Sequence, residues 1–275
     1  MSMLHFVPNP VACWPLPGPA TPALSVDGLC VTRGGRQILR QVSTAFAAGV
    51  VTVVVGPSGA GKTTLLNVLN GLVEPTGGEV FAHDFGAPHG VDSLRSSDSW
   101  AALRQHTATI FQDHALIGRL SALDNVLLAF AESRHPLSPF PWPRFAREAA
   151  AKALADVGLL DRAFDRVENF SGGERQRIGI ARALARGPRL LLGDEPFSSL
   201  DQPLARRLGQ DLRALAVRDG VTLVLVLHQI ALARALADRI VGLNDGRVVF
   251  DGPAEIFDAE AEASVFTSTP NTKGS

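Results

Sequence analysis

The sequence predicts an α/β fold in three layers, with a largely parallel sheet at its centre. Three observations carry this. Short apolar runs rich in β-branched residues, Val50 to Val55, Leu190 to Leu192 and Val221 to Leu227, read as buried strands. Helix-like stretches lie between them, as crossovers between parallel strands require. A glycine-rich loop, Gly56 to Gly61, separates the first of these strands from a helix whose packed side carries Leu65, Leu66, Val68 and Leu69.

The other elements follow along the chain. Leu24 to Phe46 reads as two strands around Gly34-Gly35, an N-terminal antiparallel β subdomain. The region from about 94 to 186 is mostly helical, with Ser121 and Ser171 placed as N-caps, and reads as an inserted α-helical subdomain. The proline-rich stretch His135 to Pro143 interrupts it as an exposed loop. Asn244-Asp245-Gly246 marks a hairpin near the end of the core. Residues 1–23 lack a basic start, and Pro8, Pro10, Pro15, Pro17, Pro19 and Pro22 break any helical apolar segment. They are expected to be a flexible extension rather than a signal peptide. Residues 258–275, acidic and then polar, are expected to be a flexible tail, leaving 24–257 as the folded domain.

Composition narrows the partners. The formal net charge of −1 over 275 residues provides no broad field for a polyanion, so nucleic acid is not an expected partner. Cys13 and Cys30 form no metal-ligand pattern and could pair only if the fold brought them together, which points to a reducing compartment. No apolar run approaches the roughly 20 residues of a membrane-spanning helix. A membrane would therefore be reached through a partner.

The chemistry concentrates in four places. Gly56-Pro57-Ser58-Gly59-Ala60-Gly61-Lys62-Thr63 matches GxxxxGK[ST] between strand and helix. Glycines let successive backbone N–H groups face phosphate oxygens, and the helix start adds its own donors and positive dipole end. Lys62 brings a charge to the β- and γ-phosphates, and the Thr63 hydroxyl can ligate Mg²⁺. The plain alternative is a strand-helix turn with a solvated lysine. Next, the apolar strand at Leu190 ends in Asp194 and Glu195. Carboxyl ends of parallel strands face the ligand crevice, so Asp194 is placed for Mg²⁺ and Glu195 for the attacking water. Two acids capping the next helix would be the simpler reading. His228 follows the strand from Val221 and should reach the same edge, near the γ-phosphate; Gln112 ends the short run Thr109-Ile110-Phe111.

Ser171-Gly172-Gly173-Glu174 opens a helix. Ser171 and Glu174 have capping-box spacing, a sound structural role. That role leaves unexplained two glycines that cost helix stability in a first turn. Bare backbone at a helix start suits the close approach of an anion. A chain with one phosphate loop and a second helix start of this kind is expected to close its site across two subunits.

With these motifs in order, the chain resembles ATPases of the ABC family from about Leu24 to Phe257. GPSGAGKTT resembles the Walker A loop, Phe111-Gln112-Asp113 the Q-loop, SGGERQR the signature, and LLLGDEP the Walker B strand with its catalytic glutamate. Ser199-Leu200-Asp201 resembles the D-loop and His228 the switch histidine. The resemblance implies a P-loop NTPase (RecA-like) core with ATP and Mg²⁺ as cofactors. Catalytic roles go to Glu195, His228 and Gln112, and metal contacts to Thr63, Gln112 and Asp194. Nucleotide contacts go to Gly56 through Thr64 (Pro57, Ser58, Gly59, Ala60 and Gly61 among them), to Ser171, Gly172, Gly173 and Glu174, and to Asp201.

It implies, too, a second copy of the subunit, each ATP lying between the Walker A of one and the signature of the other. The region following Gln112 would receive the coupling helix of a transmembrane permease, at the cytoplasmic face of the membrane. A periplasmic or extracellular solute-binding protein would be an indirect partner.

The chain departs from the family pattern twice. Glu174 stands where the family has Gln, adding charge near ATP. Arg33 aligns with an aromatic residue that stacks on adenine, and the chain has no Tyr; a guanidinium can stack on a base. Residues Gln112 to Val126, His228-Gln229, Ala237 to Val241 and Phe250 to Pro253 resemble phosphonate-importer ATPases most. An ATPase for another small polar solute is the nearest alternative. A soluble ABC ATPase acting on nucleic acid or ribosomes is a further one. Such proteins carry paired cassettes, a zinc insertion or a coiled coil, and this chain has none of these.

Overall fold

The computed structural model describes residues 22–83, 91–94, 97–111, 115–133 and 141–267. The chain opens with β1 (Pro22–Arg33), β2 (Arg36–Ala47) and β3 (Val51–Val55), then α1 (Lys62–Leu69), β4 (Gly77–His83) and β5 (Val91–Ser93). α2 (Ser97–His106) and β6 (Thr107–Ile110) precede the helical region of α3 (Ala122–Leu127), α4 (Arg144–Asp156) and α5 (Gly172–Leu184). The core resumes with β7 (Leu190–Asp194), α6 (Gln202–Asp219), β8 (Thr222–Val226), α7 (Ile230–Leu236), β9 (Arg239–Asn244), β10 (Arg247–Pro253) and α8 (Ala259–Phe266).

Two sheets form. One has the order β2-β1-β4-β5 and is antiparallel; the other has the order β10-β9-β3-β8-β7-β6, parallel except for the β9–β10 hairpin. The strand alternation explains the layers. Val51, Val53 and Val55 of β3 join a core with Ala150, Leu154, Ile178 and Leu212 of α4, α5 and α6. Val54, with Val224, Val226, Leu190 and Leu192, faces the other way, towards Leu24, Leu39, Phe46 and α1. Both faces are covered, which is why these strands read as unbroken apolar runs.

The sequence boundaries need two corrections. The helical region was expected from about 94, but β6 pairs in parallel with β7, Thr107 opposite Leu190 and Ile110 opposite Gly193. Leu103 of α2 packs in the core shared with the antiparallel sheet. The helical lobe therefore starts after β6. A four-residue, half-exposed edge strand leaves little periodicity to read.

The tail expected to be flexible from 258 is helical through Phe266. Asp258 caps α8 by accepting from the N–H groups of Glu260 and Ala261, and Val265 is fully buried. One anchor among acidic neighbours gives almost no amphipathic pattern. At the other end, β1 begins at Pro22. Cys30 is free; Cys13 lies outside the described residues. Among the described residues no helix is long and apolar enough to cross a membrane.

Candidate active site

The loop from Gly56 to Gly61 leaves β3 and feeds α1 at the carboxyl end of the parallel sheet. Gly56 has φ of 151°, and a Cβ there would lie 2.0 Å from the Leu243 carbonyl oxygen, so only glycine fits. The β9–β10 turn braces the loop: Gly246 N–H donates to Ala60 O at 3.1 Å, while Arg40 N–H of β2 donates to Gly246 O at 2.8 Å. A surface pair between Arg40 and Asp245 at 2.7 Å repeats the link. This turn places the start of β2 beside the phosphate loop.

Lys62 is buried. Its Nζ donates to the carbonyls of Gly56 at 2.9 Å and Pro57 at 2.8 Å, drawing the loop closed around the ammonium. Burial pulls its pKa below the usual lysine range, and the carboxylates of Glu195 and Asp194 oppose that shift. Asp194 ends β7 and is itself buried. Its pKa is raised, first by desolvation and also by Glu195, while a hydrogen bond from Thr63 and the charges of Lys62 and His228 work the other way. Asp194 Oδ1 has no hydrogen-bond partner. A buried carboxylate oxygen without a donor, next to a threonine hydroxyl, is an all-oxygen set suited to a hard cation such as Mg²⁺.

Glu195 adopts φ of 50°, unusual for a side chain with a Cβ and worth roughly 1–3 kcal/mol of strain. Backbone contacts hold it there. Its N–H donates to Val226 O at 3.1 Å, and its carbonyl accepts from Ser198 N–H at 3.2 Å and from Gln176 Nε2 at 2.9 Å. The Glu195 carboxylate meets His228 Nε2 at 2.7 Å. A cavity of about 450 Å³ brings Ser58, Gly59, Gly61, Lys62, Thr63, Thr64, Glu195 and His228 together with Arg36 and Ile38 of β2.

The structure thus joins the phosphate loop, the acidic strand end and the histidine. It does not bring the signature to this cavity. Ser171 caps α5 with its hydroxyl accepting from Glu174 N–H, and Glu174 Oε2 accepts from Ser171 N–H, completing the capping box. Gly172 and Gly173 form the first turn of α5, away from the lining of the Lys62 cavity. The charge of Glu174 is answered within the chain. Arg162 Nη1 donates to its carboxylate at 2.7 Å, the guanidinium lies 4.0 Å from the Phe170 ring centroid, and Asp165 accepts from Nε. The cap from Ser171 holds the Glu174 pKa down first, with Arg162 adding to it. Asp201 caps α6, accepting from Leu204 N–H at 2.9 Å, and does not line the cavity.

Arg33 does not line the cavity; Arg36 does. Gln112 lies outside the described residues, as do Asp113 and His114. Three residues escaped the sequence reading: Arg36, Arg162 and Gln176. For Gln176 a signal existed, because it sits at the head of the stripe Gly179, Ile180, Ala183 on the buried side of α5. For Arg162, twelve positions before Glu174, none did.

Residues 39–198, from β2 through the acidic strand end, match the family model for the ABC transporter. This chain belongs to the ABC transporter family. It is 58% identical over 250 residues to the phosphonates import ATP-binding protein PhnC 2 of Rhodopseudomonas palustris, covering 91% of this chain and 86% of the relative. It is 49% identical over 247 residues to the phosphite import ATP-binding protein PxtA of Stutzerimonas stutzeri, covering 87% and 86%. A bacterial ABC transporter cassette solved as a dimer superimposes with a TM-score of 0.72 at 31% identity, covering 84% of this chain and 98% of that one. The chain is an ATPase of the ABC cassette type, with the fold that its sequence motifs imply.

Proposed function

We propose that this protein is the ATP-hydrolysing subunit of an ABC importer for phosphonate or a closely related phosphorus oxyanion. The observation that carries the ATPase chemistry is one cavity lined by Lys62, Thr63, Glu195 and His228, with the buried Asp194 hydrogen-bonded to Thr63 and keeping one oxygen unpartnered. The cargo reading rests on relatives named for phosphonate and phosphite import.

Backbone N–H groups of the loop and α1 would receive the phosphates, and Lys62 would exchange the carbonyls of Gly56 and Pro57 for phosphate oxygens. Thr63 and Asp194 would hold Mg²⁺, with Gln112 as a further ligand. Bound there, the ion would neutralise charge developing on the phosphates. Glu195 would orient the attacking water and accept its proton, its carboxylate steered by His228. Ser171, Gly172 and Gly173 would meet the phosphates held by a second copy of the chain, since one chain keeps the two half-sites apart. A dimeric cassette as a structural relative supports this. In place, the pair would sit on a permease at the cytoplasmic face of the membrane, with a solute-binding protein acting outside.

Deleting the gene and supplying methylphosphonate, phosphite or phosphate as the sole phosphorus source tests the cargo. Growth lost on phosphonate alone supports the reading, and loss on phosphite alone replaces it with the phosphite reading. Normal growth on all three, with ribosome or nucleic-acid defects, would favour the soluble alternative.

A further inference from the structure

Gln176 is fully buried on α5, and both ends of its amide are used. Nε2 donates to the Glu195 carbonyl at 2.9 Å, and Oε1 accepts from Ser199 N–H at 2.8 Å. One side chain thus fastens the signature helix to the catalytic glutamate and to the segment that follows it. The backbone is close as well. A Cβ on Gly173 would stand 3.1 Å from Ser199 O and 3.3 Å from Leu200 Cδ2. The start of α5 therefore cannot shift against this segment without moving it.

In the paired arrangement proposed above, these two ends serve different nucleotides. Ser171 to Gly173 meet the phosphates held by the second copy, whereas Glu195 acts on the nucleotide of its own phosphate loop. We propose that Gln176 is a positioning residue that couples the two ATP sites, carrying engagement of the signature by one nucleotide to the backbone of Glu195 at the other. The inference rests on the paired-site reading. A buried amide satisfied at both ends has one low-energy spacing, because slipping either bond leaves a buried polar group unpaired. Glu195 is the residue for which spacing matters, since its φ of 50° depends on neighbours that hold its carbonyl. A coupling of this kind acts in both directions on nucleotide binding.

Two substitutions test it in the full-length protein. Gln176→Met keeps length and loses both bonds. Gln176→Glu keeps the acceptor for Ser199 N–H and sets an oxygen against the Glu195 carbonyl. Hydrolysis is measured across MgATP concentrations, beside equilibrium binding of a fluorescent ATP analogue and the melting temperature. In both variants kcat is expected to fall about ten-fold, as for one buried hydrogen bond felt in the transition state. The Hill coefficient should fall towards unity while nucleotide binding stays near wild type; the melting temperature falls in both variants, because each leaves a buried backbone group without its partner.

A folded variant with wild-type kcat and Hill coefficient overturns the proposal. So does a kcat loss matched by an equal loss of nucleotide binding. If Gln176→Met does not fold, Gln176→Glu decides alone. The wild type separates the two readings. Absence of ATP-dependent pairing there removes the paired-site reading and this proposal with it, whereas pairing with unaltered variants removes this proposal only.

Discussion

The Glu195 carboxylate lies 2.7 Å from His228 Nε2 while the Glu195 backbone is held at φ of 50°, so both ends of the residue are fixed. β7 delivers the glutamate and β8 delivers the histidine. Removing the imidazole frees the carboxylate without touching the phosphate loop. His228→Ala is expected to lower kcat by about 10²-fold, the lower range for a positioned acid-base pair, with ATP affinity unchanged. Steady-state hydrolysis together with equilibrium ATP binding checks both halves.

Arg162 and Glu174 alter the expectation drawn from the signature. The sequence places an extra negative charge near ATP, but Arg162 answers it at 2.7 Å. Glu174→Gln should therefore leave ATP affinity unchanged, whereas Arg162→Ala should weaken ATP-dependent pairing by leaving the carboxylate without its cation. Pairing is read by size-exclusion chromatography with ATP.

The same carboxylate gives a pH dependence. Its pKa is depressed in the folded chain, chiefly by the Ser171 cap. The folded state thus binds the proton less readily than the unfolded one, and the stability from the cap is present above the ordinary glutamate range. It is lost as pH falls through the lowered value. The difference in melting temperature between wild type and Glu174→Gln should shrink on acidification through that window.

Arg36, not Arg33, lines the Lys62 cavity with Ile38. Arg36→Ala should weaken ATP about five-fold, for a guanidinium contact worth about 1 kcal/mol, while Arg33→Ala leaves binding unaltered. Fluorescent-nucleotide titration separates them. A reversed order would return Arg33 to the base.

Much of this was legible in the sequence because the local rules agree with the global fold. The apolar runs at Val51 and Thr222 were strands because both faces are buried, and the turn at Asp245-Gly246 was a hairpin because its residues tolerate positive φ. Phosphate loop, acid pair and histidine are short-range patterns whose positions follow from the strands that carry them. What escaped depends on distance through space. β6 is too short to show a period, and α8 is held by the single buried Val265. Arg162 meets Glu174 only because the segment before α5 folds back along its start. Arg36 lines the cavity and Arg33 does not, and β2 is tied to the loop through the hairpin turn, a contact between segments some two hundred residues apart.

The most direct measurement is made on Glu195→Gln. The substitution keeps the side-chain shape and removes the base while Lys62, Thr63 and Asp194 stay in place. The variant should bind MgATP with wild-type affinity, accumulate a two-subunit ATP-bound species on size-exclusion chromatography, and hydrolyse ATP at least about 10²-fold more slowly than wild type. Wild-type turnover in the folded variant would contradict the role of Glu195. A variant that binds ATP only as a monomer would contradict the shared site.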